Sequence, residues 1–253
     1  KTWYNCSAHL LWIGNRTRNI DSAHVEFLSG VSNPIAVKIG PDISEDEILD
    51  LSLKLNPSNE PGKLLFIIRM GHDKIDLHLP KMIRKIMRHR RKILWVSDPM
   101  HGNTIVTNQG IKTRHFEDIL KELTSFIRIH KELNTIPGGV HIELTSDNVT
   151  ECLGGTTKKI EPTNLNEKYE TACDPRLNND QSLELAFLLN KLLKKLLGEY
   201  EMSNKVIIKG YGDNLEINGV KIGSLSPSDH ESIEKDKGGQ NYKPLEDVVV
   251  SHV

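Results

Sequence analysis

The chain has 253 residues, enough for one large α/β barrel domain or two ordinary domains. Its formal charge is −1, and no long single-sign block gives the whole chain a nucleic-acid or membrane preference. No apolar run approaches the ~18 residues needed to span a bilayer, and three scattered cysteines (Cys6, Cys152, Cys173) imply no disulfide framework and point to a reducing compartment.

Taken in order, residues 9–14 read as a short strand and 20–31 as a helix. Residues 34–39 read as a second strand closed by Gly40-Pro41. Ser44 and Glu47 form a capping box that opens a helix to about Leu55. A third strand covers 64–69. A helix follows from Pro80 to Arg91, carrying a basic run read as a solvated face. The apolar run 92–97 is a fourth strand, leading into Asp98-Pro99-Met100-His101-Gly102-Asn103-Thr104. Residues 115–133 have helical spacing, with Phe116, Ile119, Leu120, Leu123, Phe126 and Ile127 apolar. Pro137-Gly138-Gly139 introduces a fifth strand over 140–144, and a sixth, short strand ends at Asp174. The last strong helix is expected over 182–197, capped by Asn179 or Asp180 and ended by Gly198.

Strands and helices therefore alternate, which calls for a parallel sheet with helical crossovers. The spacing of about 25 to 45 residues suits a (β/α) TIM-type barrel, of which six of the eight strands are found. Beyond residue 200 the pattern changes. Residues 205–222 read as antiparallel strands turning at 212–214 and at Asn218-Gly219, and 224–242 as polar loop or disorder. Two regions are expected: a partial barrel over 1–199 and an unrelated or disordered tail with a β-hairpin over 200–253. The chain opens on Lys1 and is strand-like within ten residues, with no targeting segment ahead of it, which reads as a fragment or processed product. An open six-stranded barrel leaves two strand edges bare, so these residues alone are expected to fold poorly or to associate.

In such a barrel the site lies at the C-terminal strand ends. Those ends carry Asn15 and Arg16, then Lys38, Arg69, Asp98 with His101, Glu143 and Asp174. His101, Glu143 and Asp174 make a hard-to-borderline metal ligand set, although each alone reads equally well as a surface turn residue. Lys38 and Arg69 could be solvated or paired. Both are nevertheless followed by glycine turns that let backbone approach a ligand, and converging cations beside a metal suit a phosphate-bearing carboxylate. Cys152 and Cys173 read as small packed residues. On a strand, Cys173 and Asp174 would point to opposite faces and could not share an ion.

Several segments occur together in order. They are Trp12-Ile13-Gly14-Asn15-Arg16-Thr17-Arg18, Asn33-Pro34 with Val37-Lys38-Ile39-Gly40-Pro41, Arg69-Met70-Gly71, Asp98 to Thr104, Lys112-Thr113-Arg114-His115-Phe116, Pro137-Gly138-Gly139, Val149 to Gly155, and Cys173 to Asn178. This set resembles class II (plant-type) 3-deoxy-D-arabino-heptulosonate 7-phosphate synthase over roughly residues 4–197.

The resemblance implies a (β/α) barrel transferase of the shikimate pathway to chorismate and aromatic amino acids. In that reaction phosphoenolpyruvate condenses with erythrose 4-phosphate and phosphate is released. It implies a divalent ion (Mn2+, alternatively Co2+, Fe2+ or Zn2+) on His101, Glu143 and Asp174. It also implies phosphoenolpyruvate contacts at Asn15, Arg16, Lys38 and Arg69, and a phosphate contact at Lys112. No catalytic acid or base is assigned. A homo-oligomer in the cytoplasm or a plastid is implied, with no nucleic-acid or membrane partner. Two family features fall outside the chain: a metal-ligating Cys on the first barrel strand and a phosphoenolpyruvate-binding Arg on the second. Asn15 stands where the family usually has Glu. The alternative reading is a catalytically incomplete or regulatory relative.

Overall fold

The computed structural model describes residues 3–8, 10–157 and 159–197, and the short strands 208–209, 215–217 and 220–223. The chain divides into two units, residues 1–197 and 198–253.

The first unit is built on β-branched and leucine-rich runs. β1 is Leu11–Ile13, β2 Ile35–Ile39, β3 Leu64–Ile68 and β4 Leu94–Ser97. A two-stranded antiparallel hairpin follows, β5 (Thr104–Val106) with β6 (Lys112–Arg114), and then β7 (Pro137–Val140). β1, β2, β3, β4 and β7 form one parallel sheet in that order. Helices α1 (Ala23–Ser29), α2 (Glu45–Leu55), α3 (Ile75–Arg88), α4 (Phe116–Glu132) and α5 (Asn179–Leu197) complete the unit. A strand–helix–strand order with parallel pairing is the expected crossover architecture.

The pleat separates two faces. Ile35, Val37, Ile39, Phe66, Ile68 and Trp95 face the helices and share the main core with Val25, Ile48, Leu51, Leu79, Ile83 and Phe126. Ala36, Ile67 and Val96 make a separate small cluster on the other face. Register places Trp12 beside Ala36, and Lys38 beside Ile67 on that same inner face. The sheet curls around it. Trp12 on the first strand meets His141, just past the last strand, edge to face at 5.3 Å between ring centroids, although three strands lie between them. A curled, right-twisted parallel sheet with a narrow inner face is compatible with part of a TIM-type barrel.

Several expected boundaries shift for physical reasons. The helix expected to start at Pro80 begins at Ile75, because the apolar face Ile75, Leu79, Met82, Ile83, Ile86 runs through the proline. The helix expected over 20–31 is shorter, since the Ser22 hydroxyl caps it by accepting from Val25 N–H and Gly30 ends it. α2 carries both bonds of its capping box, Ser44 with Glu47. The strand expected over 140–144 lies earlier, at Pro137–Val140: Pro137-Gly138-Gly139 is itself strand, with Gly139 opposite Val96, and Glu143 sits three residues past its end. The strand expected to end at Asp174 is absent. Residues 172–174 form bends held by local bonds from and to Thr171, and the ladder instead resumes as an isolated parallel bridge between Leu144 and Leu177. The β5–β6 hairpin has no counterpart in the sequence reading, its strands being short and partly polar. α5 starts at Asn179. Ahead of it Asn178 Oδ1 accepts from Gln181 N–H (2.9 Å) while Gln181 Oε1 accepts from Asn178 N–H (3.2 Å).

In the second unit, β8 (Ile208–Lys209), β9 (Leu215–Ile217) and β10 (Val220–Gly223) form an antiparallel sheet ordered β10-β9-β8. The turns expected at 212–214 and 218–219, and the loop expected over 224–242, lie outside the described residues.

Candidate functional site

The C-terminal ends of β2, β3 and β4 lie side by side. Lys38, on the inner face of β2, is almost fully buried, and its ammonium pairs with the Asp98 carboxylate just beyond β4. The same ammonium lies 5.9 Å from the centre of the Trp12 ring, where the π face adds cation attraction. Burial lowers the Lys38 pKa; Asp98 opposes that. Asp98 is wholly buried, which on its own would raise its pKa. Hydrogen bonding to His101 and the Lys38 charge outweigh burial and hold it well below the usual carboxylate range.

His101 continues the chain of charges. Its Nδ1 is 2.8 Å from Asp98 Oδ2, and its Nε2 is 3.3 Å from Glu143 Oε1. The bonds to Asp98 and Glu143 raise its pKa to about 9, against burial. Glu143 Oε2 receives Arg114 Nη1 at 2.5 Å. Although burial pushes the other way, the His101 bond and the Arg114 charge lower Glu143 to about 2. Lys38, Asp98, His101, Glu143 and Arg114 thus alternate in sign along one connected network.

Asp174 closes the group. His101, Glu143 and Asp174 each offer a ligand atom within 4.8 Å of the others, the only such group among the described residues. One imidazole and two carboxylates within that span fit a borderline divalent cation. Asp98 on the far imidazole nitrogen is the usual second partner of a metal-bound His. Asp174 reaches the group from a bent loop and not from a strand end. In consequence Cys173 Sγ lies 3.5 Å from Asp174 Oδ2, beside it and not on an opposite face. Cys6 is exposed. Cys152 is buried, its thiol pushed up to about 12, and packs with Met100, Leu123 and Leu185.

The other rim residues differ in engagement. Arg69 Nη2 donates to His101 O at 3.3 Å, so its guanidinium borders the His101 turn. Arg16 is exposed on the short 3-10 turn after β1. The Asn15 side chain is turned toward backbone: its Oδ1 accepts from Gly40 N–H (2.7 Å) and its Nδ2 donates to Asp42 Oδ1 (3.2 Å). A Cβ on Gly40 would collide with that amide. Lys112 Nζ is 3.4 Å from Asp174 Oδ1. With Tyr169 and Cys173 it lines an open depression beside the group.

Two residues that hold the site are not singled out by the sequence. Arg114 is fully buried; besides Glu143 it donates to Thr104 Oγ1 (2.9 Å) and to the Pro175 carbonyl, tying Glu143 to the loop that carries Asp174. Glu151, also fully buried, accepts from Glu170 N–H (3.2 Å), Thr171 N–H (2.8 Å) and Arg176 N–H (2.8 Å), and from the Arg176 guanidinium twice (3.0 and 2.7 Å). It organises residues 170–176 as a closed loop. A charged residue within the otherwise uncharged stretch 149–155 is the available signal.

The sequence profile described as "Class-II DAHP synthetase family" matches residues 1–190 of this chain. The chain belongs to that family. It is 49% identical over 191 residues to the phospho-2-dehydro-3-deoxyheptonate aldolase of Streptomyces coelicolor, covering 76% of this chain and 42% of that protein. It is 49% identical to the phospho-2-dehydro-3-deoxyheptonate aldolase AroG of Mycolicibacterium smegmatis (76% and 41%) and 51% identical to that of Neurospora crassa (75% and 40%). The chain thus spans about two fifths of the length of these curated relatives. Among the described residues no helix is long and apolar enough to cross a membrane.

Proposed function

We propose that the protein containing this chain is a 3-deoxy-7-phosphoheptulonate synthase, joining phosphoenolpyruvate to erythrose 4-phosphate with release of phosphate. The observation that carries the reading is the His101–Glu143–Asp174 group set directly beside Lys38 and Arg69, in a chain of the class-II DAHP synthetase family. A divalent ion, Mn2+ in the first place, held by His101 Nε2, Glu143 and Asp174, would polarise the aldehyde oxygen of the sugar phosphate.

The chain's own residues do the positioning. Arg69 and Arg16 supply guanidinium forks for the phosphate and carboxylate of phosphoenolpyruvate, and Lys38 adds its remaining N–H donors from the inner face. Asn15 contributes through its backbone N–H, its side chain being committed to Gly40 and Asp42. Held this way, C3 of phosphoenolpyruvate faces the aldehyde carbon. As the new C–C bond forms, positive character builds at C2, water adds there, and phosphate departs by C–O cleavage. Lys112, beside Asp174, would contact the sugar's phosphate.

The test is turnover by the full-length gene product supplied with metal. Phosphate release should require both phosphoenolpyruvate and erythrose 4-phosphate, and other aldose phosphates should support it poorly. Release without the aldose, or equal release with a different aldose phosphate, would reject this substrate assignment.

A further inference from the structure

Glu122 lies in the middle of α4, fully buried on the face turned to the sheet. A buried carboxylate on an apolar helix face is costly unless its partners are built in. Its Oε1 accepts from the backbone N–H groups of both Met70 (2.9 Å) and Gly71 (3.1 Å), the turn that follows Arg69. Its Oε2 accepts from Asn103 Nδ2 at 2.7 Å. Asn103 belongs to the turn that carries His101. The orientation of its amide is fixed on both sides: Nδ2 also donates to the Pro99 carbonyl (2.8 Å), and Oδ1 accepts from His72 N–H (2.9 Å).

The two turns are also in backbone contact. Gly71 has φ +88°, open to glycine at no steric cost, and a Cβ there would come within 3.0 Å of Gly102 O. A Cβ on Gly102 would collide with the Gly71 backbone nitrogen. One side chain on a crossover helix therefore fastens, from behind the sheet, the turn that aims Arg69 and the turn that aims His101.

We infer that Glu122 is a positioning residue for the phosphoenolpyruvate site: through Met70, Gly71 and Asn103 it sets the Arg69 turn in register with the His101 turn. This rests on the phosphoenolpyruvate reading of Arg69 given above. Burial holds the Glu122 carboxyl up, to about 8. Glutamine keeps an oxygen for Met70 and Gly71 and gives up only the bond from Asn103, since its amide nitrogen cannot accept from Nδ2, whereas alanine strands both buried backbone N–H donors.

The experiment compares the full-length parent, Glu122→Ala and Glu122→Gln. Glu122→Ala should raise the KM for phosphoenolpyruvate about tenfold and leave that for erythrose 4-phosphate within about twofold. Glu122→Gln should stay within about threefold of the parent for both substrates. Backbone amide exchange at Met70 and Gly71 should quicken at least about tenfold in Glu122→Ala and stay near the parent in Glu122→Gln. A merely structural role would lower the active fraction, and so kcat, while leaving both KM values in place. An unchanged phosphoenolpyruvate KM, equal rises in both KM values, or unchanged exchange overturns the inference. If the parent turns nothing over, the substrate reading fails, and the exchange result alone decides whether Glu122 holds the turn. Should Glu122→Ala not fold, Asn103→Ala removes the bridge from Glu122 to the His101 turn, with the Asn103 bonds to Pro99 and His72, and leaves the Met70 and Gly71 bonds to Glu122 in place. It should raise the phosphoenolpyruvate KM about threefold, and no rise would overturn the inference.

Discussion

Asp98 Oδ2 lies 2.8 Å from His101 Nδ1, three residues further on, and the carboxylate is completely buried. The bond turns Nε2 of the ring toward Glu143 and Asp174, so the orientation of a candidate ligand is set by a residue outside the ligand group.

The first prediction concerns protons. His101 is held at about 9, so the metal-free site carries its proton at pH 7. A metal ion must displace it, releasing about one proton per ion at pH 7, with apparent affinity rising as pH approaches about 9. Calorimetry in buffers of different ionisation enthalpy counts that proton. In the metal-free protein the sign for stability is opposite to that of a lone carboxylate. The raised His101 pKa stabilises fully below about 6.5 and is lost as pH rises through about 9.

Asp98→Asn should weaken metal binding about 10- to 100-fold, since the neutral amide no longer draws charge onto the imidazole or fixes its tautomer. It also strips the buried Lys38 ammonium of its counter-charge. Titration of the full-length variant with Mn2+ measures the first effect. An affinity equal to the parent's would show that Asp98 does not orient His101.

Arg114 connects Thr104, Glu143 and Pro175, three points that a lysine's single ammonium cannot span in the same geometry. Arg114→Met takes from Glu143 one of its two charged partners, His101 remaining, and the expected cost is about 2 kcal/mol of stability, as for losing a hydrogen bond to a charged group. Denaturant unfolding reads it. Arg114→Lys should recover less than half of the loss.

His130, packed at 4.5 Å from Phe126 between ring centroids, bonds Thr135 Oγ1 through Nδ1 (2.7 Å), while its Nε2 is buried with no partner among the described residues. Burial lowers its pKa to about 4. A depressed histidine contributes stability above about 6.5 that is lost as pH falls toward about 4, up to about 3 kcal/mol. Unfolding measured across that window should be shallower in His130→Leu than in the parent. Parallel curves would assign the acid sensitivity elsewhere.

Much of the fold and of the candidate ligand group is legible in the residues themselves. Apolar runs place β1 to β4, most plainly β2 and β3, since strands covered on both faces leave a near-continuous hydrophobic signature. The Ser44–Glu47 box marks the start of α2. The strand-end rule brings His101, Glu143 and Asp174 to one place, even though Asp174 arrives on a bent loop. What stays hidden is the support. Glu122, Arg114 and Glu151 act by hydrogen bonds to groups far away in sequence, which no local period records. Glu122 does leave a trace: it falls on the buried stripe of α4, between Ile119 and Phe126, where a solvated acid has no place. Pro137-Gly138-Gly139 reads as the lead-in to a strand because proline and glycine punctuate chains. At a strand of a curled sheet the missing side chains instead permit close approach, since a Cβ on Gly138 would collide with Leu94.

The most direct test is phosphate release by the full-length gene product before and after chelation. With phosphoenolpyruvate and erythrose 4-phosphate both present, release should stop on metal removal, return with Mn2+, and fail to return in Glu143→Gln at the same metal concentration. Release that survives chelation, or a Glu143→Gln protein that recovers as the parent does, would contradict a metal-dependent synthase centred on His101, Glu143 and Asp174.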